Sequence, residues 1–403
     1  MKIAFFIEGN LNNPGGYNQI ISTASFVKNS LNEENNIIFI TNSNELKQSL
    51  QKVEINSINY KKSIPEKILD YIFGLLNFFR IFIYFNLKHS FSKFLKKNNI
   101  DLVIFLSPTE YALFCDDINF VINIWDLDHK KNSPFPEHKR NYTFEKREEF
   151  LNNILFKSFK IIVAHKGNKQ DLVRFYNCEE EKIIVQPFIP LLPNITNNKI
   201  GFLSEHEKNE LLKFTPKKKL IIYPATFWAH KNHKYILEAA EILLSEKHQE
   251  FHFIFCGVDR GNYDYIKDTI NKKNLNKSIS VFSLVSNIFL KNLYEKCFAV
   301  IMPTDAGPTN LPLYESMYFN KPIFYSEKIS YDDELKNIII PINLSDPSNF
   351  VLQLKNLKDN EIKKKIKNGK IYYEKYCLEK NIYLTYKSII DQFANVAKTW
   401  KNN

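Results

Sequence analysis

The sequence predicts an α/β protein of two tandem domains, each a parallel sheet covered by helices. Three observations carry this prediction. The chain has 403 residues, a length that divides naturally into two domains of roughly 200. Short runs rich in β-branched and aromatic residues alternate with longer helical patterns, and runs that are apolar throughout belong to strands buried on both faces. The alternation stops once and restarts, across a break from Pro187 to Pro216 that holds Pro190 and Pro193 and reads as the linker between domains.

In the first half the strand runs are Ile3 to Ile7, Ile37 to Ile40, Leu102 to Leu106, Phe120 to Ile124, Lys160 to Ala164 and Ile183 to Val185. In the second half they are Lys219 to Tyr223, Phe251 to Phe255, Ile279 to Phe282, Ala299 to Met302 and Pro322 to Phe324. A charged helix is expected from Ser204 to Leu212, a solvated lysine-rich helix face from Lys355 to Lys370, and an amphipathic last helix from Asn381 to Trp400. The expected domains are 1–195 and 196–380, with 381–403 returning to the first.

The composition is that of a globular protein, 44% hydrophobic and 25% charged. Heavy use of Lys, Asn, Ile, Phe and Tyr reflects codon bias. The net charge of +11 suits a phosphorylated substrate or an anionic surface. The lysines are dispersed and no nucleic-acid motif accompanies them, which argues against a nucleic-acid partner. Cys115, Cys178, Cys256, Cys297 and Cys377 show neither CxxC nor Cys/His ligand spacing, so buried thiols in a reducing compartment are expected and a metal site is not. The opening MKIAFFIEGN reads as a first strand rather than a signal peptide. A cytoplasmic location is expected, at the inner face of the membrane if the next segment binds lipid.

That segment runs from Ile68 to Leu87, dominated by Ile, Leu, Phe and Tyr and flanked by lysines. Arg80 near its centre would cost at least about 2.5 kcal/mol in a bilayer core, which argues against a spanning helix. Two readings stand: a helix packed on the first sheet, or an interfacial helix on an anionic leaflet.

The most specific stretch is VIMPTDAGPTNLPLYESMYFNKPIFY, Val300 to Tyr325. A strand ends at Pro303, a Gly/Pro/Asn turn follows, and a helix starts near Pro312. It resembles the retaining glycosyltransferases of family 4, glycosyl transferases group 1, in the helix pattern LPxxEAMxxGxPV. Leu311, Pro312, Glu315, Met317 and Pro322 match, Ser316 stands for the alanine and Asn320 for the glycine. The resemblance implies the GT-B architecture, two Rossmann-like domains facing a central cleft, and a nucleoside-diphosphate sugar as donor. Loop N–H groups before a helix receive phosphate well, so Thr309, Asn310 and Leu311 are candidate donor contacts. A glutamate at the position of Glu315 holds the ribose in the family. Eight positions earlier, where the family carries another acid, this chain has Gly307.

A second stretch, YPATFWAHKNHKYILEAAEIL from Tyr223, places Lys231 where the family has a lysine that neutralises the leaving diphosphate. Thr226 stands where its arginine usually does; His230, His233 and Arg260 are candidate substitutes. In the N-terminal half, Gly15 and Gly16 form a loop that could approach phosphates. Asp126, in Trp125-Asp126-Leu127-Asp128-His129, stands at a strand end where an acceptor hydroxyl could be deprotonated; a capping aspartate is the alternative. Asp126, Lys231 and Glu315 are thus the catalytic candidates. Gly15, Gly16, His230, Arg260, Thr309, Asn310 and Leu311 complete the donor set, with Lys231 and Glu315 shared.

The expected reaction is glycosyl transfer with retention, without metal or resident cofactor, to a glycan or lipid-linked acceptor in capsule, lipopolysaccharide or O-antigen synthesis. A nucleotide-sugar epimerase of the same fold and an inactive binding protein remain alternatives.

Overall fold

A computed structural model describes residues 1–9, 14–31, 36–62, 64, 67, 88–115, 117–192, 203–214, 218–307, 310–328 and 333–400. The chain forms two compact units. The first comprises Met1–Trp125, Glu145–Pro187 and the C-terminal segment from Glu379; the second comprises Asp126–Phe144 and Phe188–Leu378. The boundary expected at 195/196 thus lies at 187/188, and a segment of the expected N-terminal domain is built into the second unit.

In the first unit seven strands form one sheet: β1 (Lys2–Ile7), β2 (Asn36–Thr41), β3 (Ser57–Asn59), β4 (Leu102–Phe105), β5 (Asn119–Ile124), β6 (Lys160–Val163) and β7 (Ile183–Val185). Their order is β3-β2-β1-β4-β5-β6-β7, every pairing parallel. The reason is visible in β1: Ile3, Ala4, Phe5, Phe6 and Ile7 are all fully buried, so both faces must be covered, and parallel strands joined by helices accomplish that.

The last helix, Glu379–Trp400, belongs to this unit. Its buried residues Ile382, Tyr386, Ile389, Ile390, Phe393 and Ala397 recur at helical spacing along one stripe. Tyr386 meets Phe5 edge-on at 5.4 Å and Phe393 meets Phe159 at 5.3 Å. Thr385 donates to Gln186 Oε1 at 2.6 Å.

The second unit holds β8 (Lys219–Pro224), β9 (Phe251–Cys256), β10 (Ile279–Phe282), β11 (Ala299–Met302), β12 (Ile323–Ser326) and β13 (Ile340–Ile342). The order is β10-β9-β8-β11-β12-β13, again all parallel. Strand order reverses between β8 and β11, and the carboxyl ends flanking such a switch point are where open α/β sheets bind ligands.

All eleven expected strand runs are strands. Two more, β3 and β13, lie at sheet edges with three residues each. Pro341 inside β13 is exposed and lacks a ladder donor, as an edge strand permits. The helix Glu205–Lys213 starts with a full capping box between Ser204 and Glu207. All five cysteines are buried and free. Among the described residues no helix is long and apolar enough to cross a membrane; Ile68 to Leu87 lies outside them.

Phe393→Ala should cost about 3–5 kcal/mol, the range for removing a buried aromatic ring, read as a lower denaturant midpoint for the first unit. A loss under about 1 kcal/mol would show that the last helix does not complete this core.

Candidate active site

The ends of β8 and β11 carry the two stretches that the sequence singled out. After β8 the chain makes a short 3-10 turn, Ala229–Lys231, and passes through Asn232 in the left-handed region (φ 51°) into the helix His233–Ser245. Asparagine tolerates that conformation better than most residues. After β11 the chain crosses Thr304 to Gly307 and enters the helix Leu311–Tyr318 behind Asn310. Backbone bonds fasten the two loops: Asp305 N donates to the His230 carbonyl at 2.8 Å, and Thr304 Oγ1 reaches the same oxygen at 3.4 Å. Tyr223, fully buried in β8, donates to the Lys231 carbonyl at 2.7 Å. The position of Lys231 is therefore set by backbone on both sides.

Its ammonium lies at the centre. Lys231 Nζ donates to Asn310 Oδ1 at 2.6 Å. Asn310 is an N-cap residue whose side chain makes no capping bond, although asparagine is among the best caps. Its amide instead donates to the Gly307 carbonyl and to Tyr325 Oη, the latter at 2.6 Å. The side chain that could close the helix start is spent on orienting the lysine. Pro312 brings no N–H of its own to the first turn.

Burial pushes the Lys231 amine down to about 8, while Asp128, Asp126 and Glu137 pull it back up. Those three carboxylates come from Asp126–Phe144, the segment that joins this unit from the N-terminal half of the sequence. The acid absent at position 307 thus has counterparts elsewhere. Gly307 itself sits at φ +90°, and a Cβ there would stand 3.4 Å from Lys231 Nζ and from Asn310 Oδ1. A side chain at this position would be strained by its backbone conformation, with its Cβ in contact with the lysine.

His230 is paired with Glu137 through Nδ1, and its backbone N–H reaches the same Oε1 at 3.3 Å. The two side chains are only 13% and 7% exposed. Trp228 stacks beside the imidazole at 6.4 Å, and Phe135 meets it edge-on at 6.1 Å. Arg260 lies over the Trp228 ring at 5.6 Å, so the expected substitute for the missing arginine is reached through an aromatic side chain. At Gly257 the end of β9 comes so close to β8's loop that a Cβ would stand 2.0 Å from the Ala225 carbonyl, which only glycine allows. His233 is enclosed by Tyr223, Phe227 and Phe255 and burial lowers its imidazole to about 3; it is a core residue, not a phosphate donor.

Glu315 lies one turn into the helix, 4% exposed, accepting from Tyr294 Oη at 2.6 Å. Burial raises its carboxyl to about 7, against a partial lowering by the Tyr294 bond.

Some expectations meet a different structure. Gly15 and Gly16 belong to the first turn of the helix Pro14–Leu31 rather than to a loop, and stand in the other unit. Asp126 accepts from Asp128 N at 3.1 Å, a capping turn. Asp305, two residues before Gly307, accepts from Lys328 Nζ at 2.5 Å. Leu311 is buried at the helix start, and Thr309 lies outside the described residues. Sequence reasoning missed Glu137 and Tyr294. Their only local signals are a proline-marked helix start at Pro136 and an apolar helix stripe.

The Glu315 carboxyl keeps its proton to about 7 when folded and to about 4.5 when unfolded. Between those values the folded state binds more protons, so stability falls as pH rises, by about 3 kcal/mol in all. Glu315→Gln should therefore gain melting temperature over the parent at pH about 8 and little at pH about 4.5. An equal difference at both pH values would contradict the buried assignment.

Residues 204–368 match the family Glycosyl transferases group 1. A curated relative, protein Ycf2 of Physcomitrium patens, is 24% identical over 405 residues; the match covers 90% of this chain, which spans only 17% of that protein's length. The crystal structure of a glycosyltransferase from Rickettsia africae ESF-5 is similar with a TM-score of 0.69 at 16% identity, over 98% of both chains. Anabaena Alr3699/HepE in complex with UDP and glucose is similar at 0.67 and 13% identity, over 97% of this chain and 99% of that one. WaaG, a glycosyltransferase involved in lipopolysaccharide biosynthesis, is similar at 0.64 and 13% identity, over 94% and 98%. The chain has the GT-B fold seen in these glycosyltransferases, and its residues 204–368 match the family glycosyl transferases group 1.

Proposed function

We propose that this protein transfers a sugar from a nucleoside-diphosphate sugar to an acceptor hydroxyl, with retention of the anomeric configuration, in the assembly of a surface polysaccharide. The observation that carries the reading is Lys231. An ammonium presented where strand order reverses, beside a helix whose N-cap side chain is turned away from capping, suits a diphosphate that gains charge as its sugar leaves. The HepE complexes with UDP, glucose and UDP-glucose lend support for a uridine diphosphate donor. The relation to WaaG and to the galactosyltransferase WaaB of the lipopolysaccharide outer core supports the polysaccharide setting.

In this reading Lys231 neutralises the leaving diphosphate. The start of the Leu311–Tyr318 helix, with Thr309 and Asn310 before it in the sequence, supplies N–H donors, while His230 and Arg260 add polar contacts. Glu315 takes the ribose hydroxyls, losing its proton as they arrive. Asp126 serves the acceptor hydroxyl. No carboxylate nucleophile is required if the acceptor attacks on the face the diphosphate leaves, its proton passing to a departing phosphate oxygen. Sugar, acceptor and departing phosphate then exchange one bond and one proton, and no metal enters. The protein works at the cytoplasmic side of a membrane on a lipid-linked or glycan acceptor.

Lys231→Ala should lower turnover at least ~100-fold, the scale for losing one preorganised donor to developing charge, with the melting temperature little changed. In the parent, kcat/KM should fall as pH rises through about 8, where the amine loses its proton. Lys231→Arg should remove that fall, because guanidinium does not titrate there. Wild-type turnover in Lys231→Ala would remove Lys231 from the reaction.

A further inference from the structure

The pair of His230 and Glu137 has no place in the resemblance, which concerns neither residue's partner. Its construction is specific. Glu137 lies in the short helix Pro136–Lys139, and one of its oxygens, Oε1, receives both the His230 ring Nδ1 and the His230 backbone N–H. Its other oxygen is buried without a hydrogen-bond partner. The carboxyl is held below its usual range: burial opposes ionisation, but the hydrogen bonds from His230 outweigh it. Glu137 is therefore a carboxylate, and the ring nitrogen facing it carries a hydrogen.

That fixes the tautomer. Burial holds the imidazole below its ordinary range, against the pull of Glu137, so at neutral pH the ring is neutral. Its one N–H is on Nδ1, and Nε2 carries a lone pair. The charged groups around it are few. Glu137 and His138 come from the Pro136–Lys139 helix, and Lys231 follows in the chain; His138 and Lys231 disfavour a second positive charge. Asp126 and Asp128 act on the neighbouring Lys231. Arg260 lies over the Trp228 ring, and Asp305 is tied to Lys328. A lone pair is the wrong group to meet a phosphate oxygen; a second N–H is the right one.

We propose that Glu137 is a positioning residue that prepares His230 to take up a proton when a diphosphate binds beside Lys231, so that donor binding and proton uptake are coupled. The inference rests on the donor site described under Proposed function. The proton comes from solvent and goes to Nε2, Nδ1–H stays on Glu137, and the imidazolium donates to a phosphate oxygen. When the nucleoside diphosphate leaves, the proton returns to solvent. Release is then favoured at higher pH and binding at lower pH.

The test is calorimetric titration of the full chain with UDP, GDP and ADP at about pH 7, in two buffers of different ionisation enthalpy. The difference in heat counts protons. At that pH Lys231 and the free diphosphate, whose terminal pKa is about 6, can each contribute only about a tenth of a proton. Glu315, held at about 7, releases about half a proton as the ribose binds, in the parent and the variants alike, so the share of His230 is read as the difference from His230→Gln. The parent should take up more than about half a proton per bound diphosphate relative to His230→Gln, and Glu137→Gln less than half of that difference while still binding. Glu137→Asp, which keeps the charge and shortens the arm, should fall between and serves if the glutamine variant folds poorly. Equal proton counts in the parent and His230→Gln overturn the coupling, and equal counts in the parent and Glu137→Gln overturn the role of Glu137; in both cases the donor site stands. If none of the three diphosphates binds the folded parent, the donor site itself fails and the inference with it.

Discussion

An ammonium brought out of water must be kept charged by what surrounds it, and the second unit is arranged around that requirement at Lys231. Asn310 Oδ1 holds the Nζ at 2.6 Å, and Asp128, Asp126 and Glu137 oppose the burial that would neutralise it. Nearly every other feature of the site follows from this one. Asn310 gives up its capping role to orient the lysine. Tyr325 and the Gly307 carbonyl hold the Asn310 amide. Tyr223 and Asp305 fix the backbone on either side of the lysine.

The same requirement gives a physical account of the departure at position 307. An acid there would have to grow from a backbone at φ +90°, with its Cβ 3.4 Å from the ammonium it would neutralise. In this chain the negative charge comes from Asp126–Phe144 instead, a segment that the sequence places in the first half and the structure places in the second unit. The carboxylate that pairs with His230 belongs to that same segment. One stretch of chain therefore supplies compensation for Lys231 and orientation for His230.

The fold was legible because buried parallel strands have continuous apolar runs, and eleven of the thirteen described strands announced themselves that way. The two that did not were three-residue edge strands, one polar (Ser57–Asn59) and one broken by Pro341. In the site, Lys231, Asn310 and Glu315 were readable because each sits inside a local strand–loop–helix pattern. Glu137 was not: its partner is 93 residues away, and nothing in SPFPEHK marks a carboxylate meant for a distant histidine. The bond between Tyr294 and Glu315, 21 residues apart on different helices, was hidden for the same reason. Gly15 and Gly16 misled because two glycines after a strand suggest a loop, whereas Pro14 begins a helix that runs through them.

The most direct test of the account is a crystal structure of the full chain with the nucleoside diphosphate that raises its melting temperature most. The account predicts phosphate oxygens within hydrogen-bond distance of Lys231 Nζ and at the start of the Leu311–Tyr318 helix, with the Asn310 side chain still holding the lysine or released to the ligand. A diphosphate seated away from Lys231, with the Lys231–Asn310 bond and the helix start untouched, would contradict it.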